Sequence, residues 1–189
     1  VVERHTLEGH SGAGIRIVTD IRNLSQDAAL YVQYIPKESE WRVHICTGHN
    51  DATSTYESAF LFQKKLLRRS AAEEARQANG EVNQSIFDVR NYQNGWVYTT
   101  QNVDPPRAVI LLADKLAAAM RHFDFLNFAA FDIIYNRSAD TAYVLEANTA
   151  PGIESVTADF YARQVARLSA LHSLNNRSVE RFGHECLAV

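Results

Sequence analysis

FDIIYNRSADTAYVLEANTAPGI, residues 131–153, contains the clearest structural pattern in the chain. The two faces of a strand alternate along 131–136, with Asp132, Ile134 and Asn136 on one, and along 143–148, with Val144, Glu146 and Asn148 on one, which is the period of two that predicts paired β-strands. The polar segment RSAD at 137–140 separates the two strands and predicts the turn between them. The stretch therefore predicts a β-hairpin.

The register of this hairpin brings two acidic residues together. If the turn is centred on Ala139, Asp132 lies opposite Glu146, and Asn148 follows two residues further along the same face. Directly opposed side chains have Cβ atoms about 4.5–5.5 Å apart, and like charges at that distance are destabilising unless something compensates them. We therefore expect a cross-strand pair of carboxylates.

Two interpretations of this pair are open. A divalent cation would compensate the charges, and two carboxylates with an amide oxygen suit Mg²⁺ or Mn²⁺ better than zinc. An edge hairpin whose Asp132 and Glu146 simply face water would have the same spacing. The register places Ile134 and Val144 on the same face, and this clean alternation favours the metal site.

The same residues resemble a known motif. FDIIYN at 131–136 and AYVLEANTAPGI at 142–153 are similar to the carboxyl-terminal metal hairpin of the ATP-grasp superfamily, the ATP-dependent carboxylate–amine ligases. That motif is a strand Asp followed by Glu-x-Asn and a small residue-Pro-Gly turn. The resemblance implies that Asp132, Glu146 and Asn148 hold magnesium ions that bridge the phosphates of ATP. The similarity extends over roughly residues 1–170 and is greatest to ATP-grasp proteins encoded by tailed bacteriophages.

Composition sets broad limits on the protein. A chain of 189 residues that is 46% hydrophobic can bury a core in one domain or two small lobes. The net charge of −3 gives no general reason to expect nucleic-acid binding, and no apolar run approaches the ~18–20 residues of a membrane span. Cys46 and Cys186 fit no metal spacing, which favours free thiols in a reducing compartment.

A glycine-rich segment lies near the start of the chain, LEGHSGAG at 7–14 between two short apolar stretches. Glycine permits close approach of backbone N–H groups to phosphate, although an ordinary hairpin turn has the same composition. The resemblance implies a phosphate loop formed by Ser11, Gly12, Ala13 and Gly14. Where many family members have a lysine on the preceding strand, this chain has Arg4 or His5, and we expect Arg4 to bind phosphate.

LYVQYIP at 30–36 predicts a strand ended by proline. The resemblance implies that this strand is the hinge between two lobes, with Gln33, Tyr34 and Ile35 at the adenine edge and Glu40 at the ribose. The alternative is a core strand followed by a surface charge.

EWRVHI at 40–45 also alternates and predicts a strand with one apolar and one polar face. The apolar face comprises Trp41, Val43 and Ile45, and the polar face comprises Glu40, Arg42 and His44. Arg42 resembles the arginine of an acidic-x-Arg element that holds the acyl phosphate or γ-phosphate in peptide-extending ligases. We expect His44 to be a structural neighbour rather than a general base.

FLFQKKLLRR at 60–69 carries four cations in six residues. A solvated basic face is one explanation, and neutralisation of a triphosphate in a nucleotide cleft is the other. The resemblance favours the second and implies Lys64 or Lys65, together with Arg68, as catalytic cations.

The remaining segments predict structural elements. Asn94-Gly95 is a hairpin signal between 87–90 and 96–99, and the double proline at 105–106 can open a helix. The core stripe of that helix comprises Val109, Ala113, Leu116, Met120 and Phe123. A second helix is predicted between residues 156 and 171.

These patterns predict an α+β protein with antiparallel sheets and packed helices. By resemblance it has the ATP-grasp fold, with a nucleotide cleft between two lobes: a partial glycine-loop lobe at 1–36 and a metal-bearing lobe at 37–189. The family's separate amino-terminal domain and the first part of its nucleotide lobe lie outside these residues. An upstream domain or another protein chain would then complete the site.

The implied activity is amide or peptide bond formation from ATP, a carboxylate and an amine through an acyl phosphate, with peptides and proteins among the candidate substrates. Ala130 stands where ligases of the D-alanine type have arginine, which argues against that subgroup. The alternative is a non-catalytic module derived from the ATP-grasp fold, such as a component of a phage particle. The implied location is the cytoplasm, that of the host cell for a phage-encoded protein, with the phage particle as the alternative.

Overall fold

The computed structural model describes residues 1–7, 14–50, 55–68, 70, 89–122, 127–149 and 151–168. Within these residues the protein is α+β, with two antiparallel sheets and two helices. Neither helix is long and apolar enough to cross a membrane.

The smaller sheet has three strands in the order β2-β1-β3. Its strands are β1 (Val2–Arg4), β2 (Ile15–Ile17) and β3 (Leu30–Val32), and a 3₁₀ turn occupies Ile21–Asn23. The predicted hinge strand is thus shorter than expected, because regular pairing ends at Val32 rather than at Pro36. All three residues of β3 are exposed, so the alternative of a core strand is wrong.

The larger sheet has five strands in the order β6-β5-β4-β7-β8. Its strands are β4 (Ser39–Asn50), β5 (Thr55–Leu67), β6 (Trp96–Thr99), β7 (Phe128–Asn136) and β8 (Thr141–Asn148). Helix α1 is Arg107–Met120, and helix α2 covers residues 156–168 of the described chain. The expected lobe boundary at 36/37 falls in the segment between the two sheets.

One face of the larger sheet packs against α1 and forms the main core. The buried residues of this core include Trp41, Val43 and Ile45 from β4, Phe131 and Ile133 from β7, and Val109, Ala113, Ala117 and Met120 from α1. The predicted apolar face of β4 is therefore confirmed. The helix stripe is confirmed at its buried positions, Leu116 is partly buried against the core, and Phe123 lies outside the described residues.

The opposite face of the sheet is divided between apolar and polar surroundings. At one end, Phe160 and Tyr161 of α2 form a small cluster with Cys46, joined by Leu61. At the other end, charged and polar side chains from all five strands share the face. This division arises because β4 alternates apolar residues toward α1 with polar residues toward the other side.

The predicted hairpin is β7 and β8, and Asp132 pairs with Glu146 as expected. The register changes immediately beyond this pair, so Ile133 rather than Ile134 lies opposite Val144. A β-bulge causes the change, because one extra residue on β8 shifts every following partner by one position. The expectation that Ile134 and Val144 share a face is therefore wrong, whereas the carboxylate pair is confirmed.

Candidate functional site

The candidate site is the polar part of the larger sheet, on the face opposite α1. Antiparallel pairing aligns one side chain from each strand across this face, because paired residues point to the same side. Its principal residues are Glu40 and Arg42 on β4, Lys65 on β5, Tyr98 on β6, Asp132 on β7 and Glu146 on β8. The site thus combines residues that are separated by up to about a hundred positions in the chain.

Arg42 and Asp132 form the central ion pair of the site. They are direct partners in the β4–β7 register, and the guanidinium donates from Nε to Oδ1 at 2.7 Å and from Nη2 to Oδ2 at 2.8 Å. Asp132 is 6% exposed. Burial is the largest single influence and disfavours the charged guanidinium, but the hydrogen bonds and the charge of Asp132, helped by other nearby groups, together outweigh it and raise the pKa of Arg42.

Glu146 faces Asp132 from the edge strand β8 and is itself exposed. Its negative charge also favours the charged form of Arg42. Arg42 therefore supplies a positive charge beside both carboxylates, so a bound cation is not needed to compensate them. The Asp132–Glu146 pair is compatible with a bound metal ion. However, the positive charge of Arg42 is enough to explain why the two carboxylates can lie close together.

Glu40 forms a second ion-pair cluster on the same face. Glu40 is 3% exposed, and its carboxylate accepts a hydrogen bond from Lys37 Nζ at 3.1 Å and forms an ion pair with Lys65. Burial lowers the pKa of Lys37, partly offset by the charge of Glu40. Each oxygen of Glu40 is thus already paired with an ammonium group. To bind a ribose hydroxyl, as predicted, Glu40 would have to share or exchange one of these contacts.

Tyr98 is a site residue that the sequence reasoning missed. Its ring centroid lies 4.4 Å from Cζ of Arg42 and 5.0 Å from Nζ of Lys65. Burial and the nearby charge of Asp132 raise the pKa of the phenol, yet its buried hydroxyl makes no hydrogen bond of good geometry among the described residues. Alternation along residues 96–99 was the only sequence signal for Tyr98. Alternation does not show which strand lies beside a strand of four residues.

Asn148 completes the predicted metal-ligand set on this face. It pairs with Ala130, two residues before Asp132, and its side-chain Nδ2 is buried without a hydrogen-bond partner in the described structure. Two carboxylates and an amide supply the oxygen donors that Mg²⁺ accepts, so the donor chemistry fits. Arg42 occupies both oxygens of Asp132, although each oxygen retains a second lone pair.

No further metal-binding group is present in the part of the chain that the structure describes. Within the described ranges, no three or more His, Cys, Asp or Glu side chains are placed to hold a metal ion. The predicted site has two such residues, and its third donor is the amide of Asn148. Any ion bound here would therefore need ligands from its substrate or from water.

The structure separates the predicted basic residues. Lys65 lies on the site face, whereas Lys64 is the partner of Trp41 and lies 5.6 Å from that ring on the opposite face. Arg68 contacts the ring of Tyr92 at 5.0 Å. Lys64 and Lys65 therefore do not belong to one continuous basic face, because neighbouring residues of a strand point to opposite sides.

The predicted nucleotide-binding residues lie in and near the smaller sheet. Arg4 and Gln33 are exposed, and Tyr34 and Ile35 are half-buried. Ser11, Gly12 and Ala13 lie outside the described residues. Gly14 has a φ of 71°, and a side chain there would approach Thr6 to 2.9 Å, so this end of the loop requires glycine.

His44 belongs to a structural network at the border between the site and α2. Its Nδ1 lies 3.0 Å from the Tyr161 hydroxyl, and its Nε2 lies 2.9 Å from Oε1 of Gln63. Because an amide oxygen can only accept, Nε2 carries the proton and Nδ1 accepts from the tyrosine. Burial lowers the pKa of His44, and its buried, fully bonded ring supports a structural role.

Comparison of the chain with protein-family models, curated proteins and solved structures gave no match. The ATP-grasp resemblance therefore stays a prediction based on the motifs and their spacing.

Proposed function

We propose that the protein is an ATP-dependent carboxylate–amine ligase of the ATP-grasp type, which forms an amide or peptide bond. ATP would phosphorylate a carboxylate, releasing ADP, and an amine would then displace phosphate from the acyl phosphate. The observation that carries the proposal is the Asp132–Glu146 pair beside Arg42 and Lys65 on one sheet face. This arrangement agrees with the roles that the motif implies for those residues.

The cations of the site fit the electrostatic demands of phosphoryl transfer. Negative charge spreads over the transferring group, and cations held in a partly buried site stabilise it more than they would in water. The side chains of Arg42 and Lys65 are 28% and 12% exposed, so both keep access to a ligand while their surroundings exclude much of the solvent. Arg42 would exchange one of its contacts with Asp132 for the anionic group.

Asp132, Glu146 and Asn148 would hold Mg²⁺ in this proposal. When bound, the ion neutralises phosphate charge and orients the phosphates for in-line transfer. The buried amide nitrogen of Asn148, which lacks a partner in the described structure, would be available to donate to a phosphate oxygen.

Calorimetric titration of the chain with ATP tests the nucleotide site. We expect binding with Mg²⁺ or Mn²⁺ and none in EDTA, because the acidic pair would repel the phosphates without the ion. Equal affinity in both buffers would contradict the proposed metal–nucleotide site. The variant Asp114→Asn, which removes an exposed carboxylate from α1 on the other side of the sheet, serves as a matched control.

A non-catalytic binding module is the second candidate, and the bidentate Arg42–Asp132 pair favours it. An arginine whose guanidinium is fixed by two hydrogen bonds to a carboxylate stabilises the fold, and it is not free to bind a reacting group. Hydroxylamine distinguishes the two functions, because it traps acyl phosphates as hydroxamates. The ligase should release ADP and form a hydroxamate with an acceptable carboxylate, whereas the module should bind ATP without either product.

A further inference from the structure

The ring of Tyr98 contacts two cations of the site, Arg42 and Lys65. Lys65 is its direct partner in the β5–β6 register, so the tyrosine ring and the lysine share the site face. The ring centroid is 4.4 Å from Cζ of Arg42 and 5.0 Å from Nζ of Lys65. Cations are attracted to the negative face of an aromatic ring, so Tyr98 adds to the ion pairs with Asp132 and Glu40 that keep Arg42 and Lys65 on this face.

The hydroxyl of Tyr98 points into this charged cluster without a bonding partner. It is buried, and although it lies close enough to the Asp132 carboxylate to interact with it, no group among the described residues meets hydrogen-bond geometry with it. Both oxygens of the nearby Asp132 carboxylate already accept from Arg42. Buried polar groups are rarely left unpaired, and a phenol whose pKa is raised above its ordinary value of about 10 is a neutral donor at pH 7. The hydroxyl is therefore a donor available to a ligand.

We propose that Tyr98 is a ligand-binding and positioning residue, whose hydroxyl donates a hydrogen bond to the terminal phosphoryl group of a nucleoside triphosphate while its ring positions Arg42 and Lys65. This inference rests on the proposed nucleotide-binding function. A terminal phosphoryl group fits best because the ring that carries the donor contacts two cations and the hydroxyl lies near Asp132, one of the residues proposed to hold Mg²⁺.

Titration calorimetry of Tyr98→Phe with Mg²⁺-ATP and Mg²⁺-ADP tests the hydroxyl without removing the ring. We expect the affinity for ATP to fall at least about tenfold, the usual effect of losing a hydrogen bond to a charged group, and the affinity for ADP to stay within about twofold. Tyr92→Phe is the matched control, since Tyr92 also contacts an arginine but is exposed. It should leave both affinities unchanged.

Thermal melts of the free proteins separate a ligand-binding hydroxyl from a structural one. Because the hydroxyl lacks a partner in the free protein, Tyr98→Phe should melt no lower than the parent. A clearly lower melting temperature would show that the hydroxyl is structural and would overturn the inference, as would unchanged ATP affinity or an equal loss for ADP. If the parent binds no nucleotide, the proposed function itself fails and the inference falls with it.

Discussion

The guanidinium of Arg42 lies side-on to the carboxylate of Asp132, with Nε and Nη2 donating to separate oxygens at 2.7 and 2.8 Å. The two residues are 90 positions apart in the chain and are brought together by adjacent central strands. The pair neutralises charge inside the sheet, and it also places the only arginine of β4 beside the proposed metal ligands.

The first prediction concerns the stability that this pair provides. Arg42→Gln should lower the free energy of unfolding by about 3 kcal/mol, because breaking a buried ion pair leaves the remaining charge uncompensated. Adding Asp132→Asn should recover much of this loss, since the uncompensated charge is then absent. Urea denaturation of the two single variants and the double variant measures the coupling.

The control for this prediction is Arg22→Gln, which breaks an arginine–aspartate pair at 2.6 Å whose arginine side chain is 86% exposed. Exposed pairs contribute little, so that variant should unfold like the parent. Similar effects at Arg22 and Arg42 would show that burial does not determine the strength of the Arg42 pair.

The second prediction separates two neighbouring lysines. Lys65→Met should weaken Mg²⁺-ATP binding at least about tenfold, because it removes a partly buried cation from the site face. Lys64→Met should change the affinity less than about twofold, since Lys64 lies against Trp41 on the other face. Calorimetric titration of both variants provides the comparison, and an equal loss of affinity would contradict the assignment of the faces to these lysines.

The third prediction is a dependence of stability on pH that arises from His44. Because burial lowers the pKa of the folded imidazole below its ordinary value of 6.5, the unfolded chain binds the proton first as the pH falls. The contribution of the neutral ring is therefore present above pH 6.5 and is lost as the pH falls from there through the folded pKa. Arg42 adds to this lowering, and Asp132 opposes it.

Urea unfolding of the parent and of His44→Gln between pH 7.5 and 5 measures this effect. Glutamine does not titrate, so the stability difference between the two proteins should shrink or reverse as the pH falls. A difference that stays constant across the range would mean that the pKa of His44 is the same in the folded and unfolded states.

Much of the larger sheet could be predicted from local sequence. The alternation of β4 indicated which side chains reach the core, because a strand with one apolar face has only one way to bury it. The pairing of Asp132 with Glu146 was also predictable from the hairpin. This prediction was correct because the bulge lies just beyond the Asp132–Glu146 pair. The bulge changed the partner of Ile133 but not the partner of Asp132.

The partners from distant strands could not be predicted in the same way. Sequence alternation gives the face of Arg42 but not which strand lies beside β4, so its pairing with Asp132 followed only from the strand order. Tyr98 was missed for the same reason, because nothing in the four residues of β6 indicates that this strand pairs with β5.

Thermal melts of the parent and of Glu146→Gln, each in EDTA and in saturating Mg²⁺-ATP, test the proposed metal–nucleotide site most directly. In EDTA the two should melt alike or the variant slightly higher, by less than about 1 kcal/mol in stability, because Arg42 already offsets much of the repulsion. Mg²⁺-ATP at about a hundredfold excess over its Kd should stabilise the parent by about 2.7 kcal/mol, and the variant should lose most of that gain while Asp114→Asn keeps it. A Glu146→Gln protein that is destabilised in EDTA and gains as much as the parent from Mg²⁺-ATP would contradict the account, because Glu146 would then be a structural residue outside the metal site.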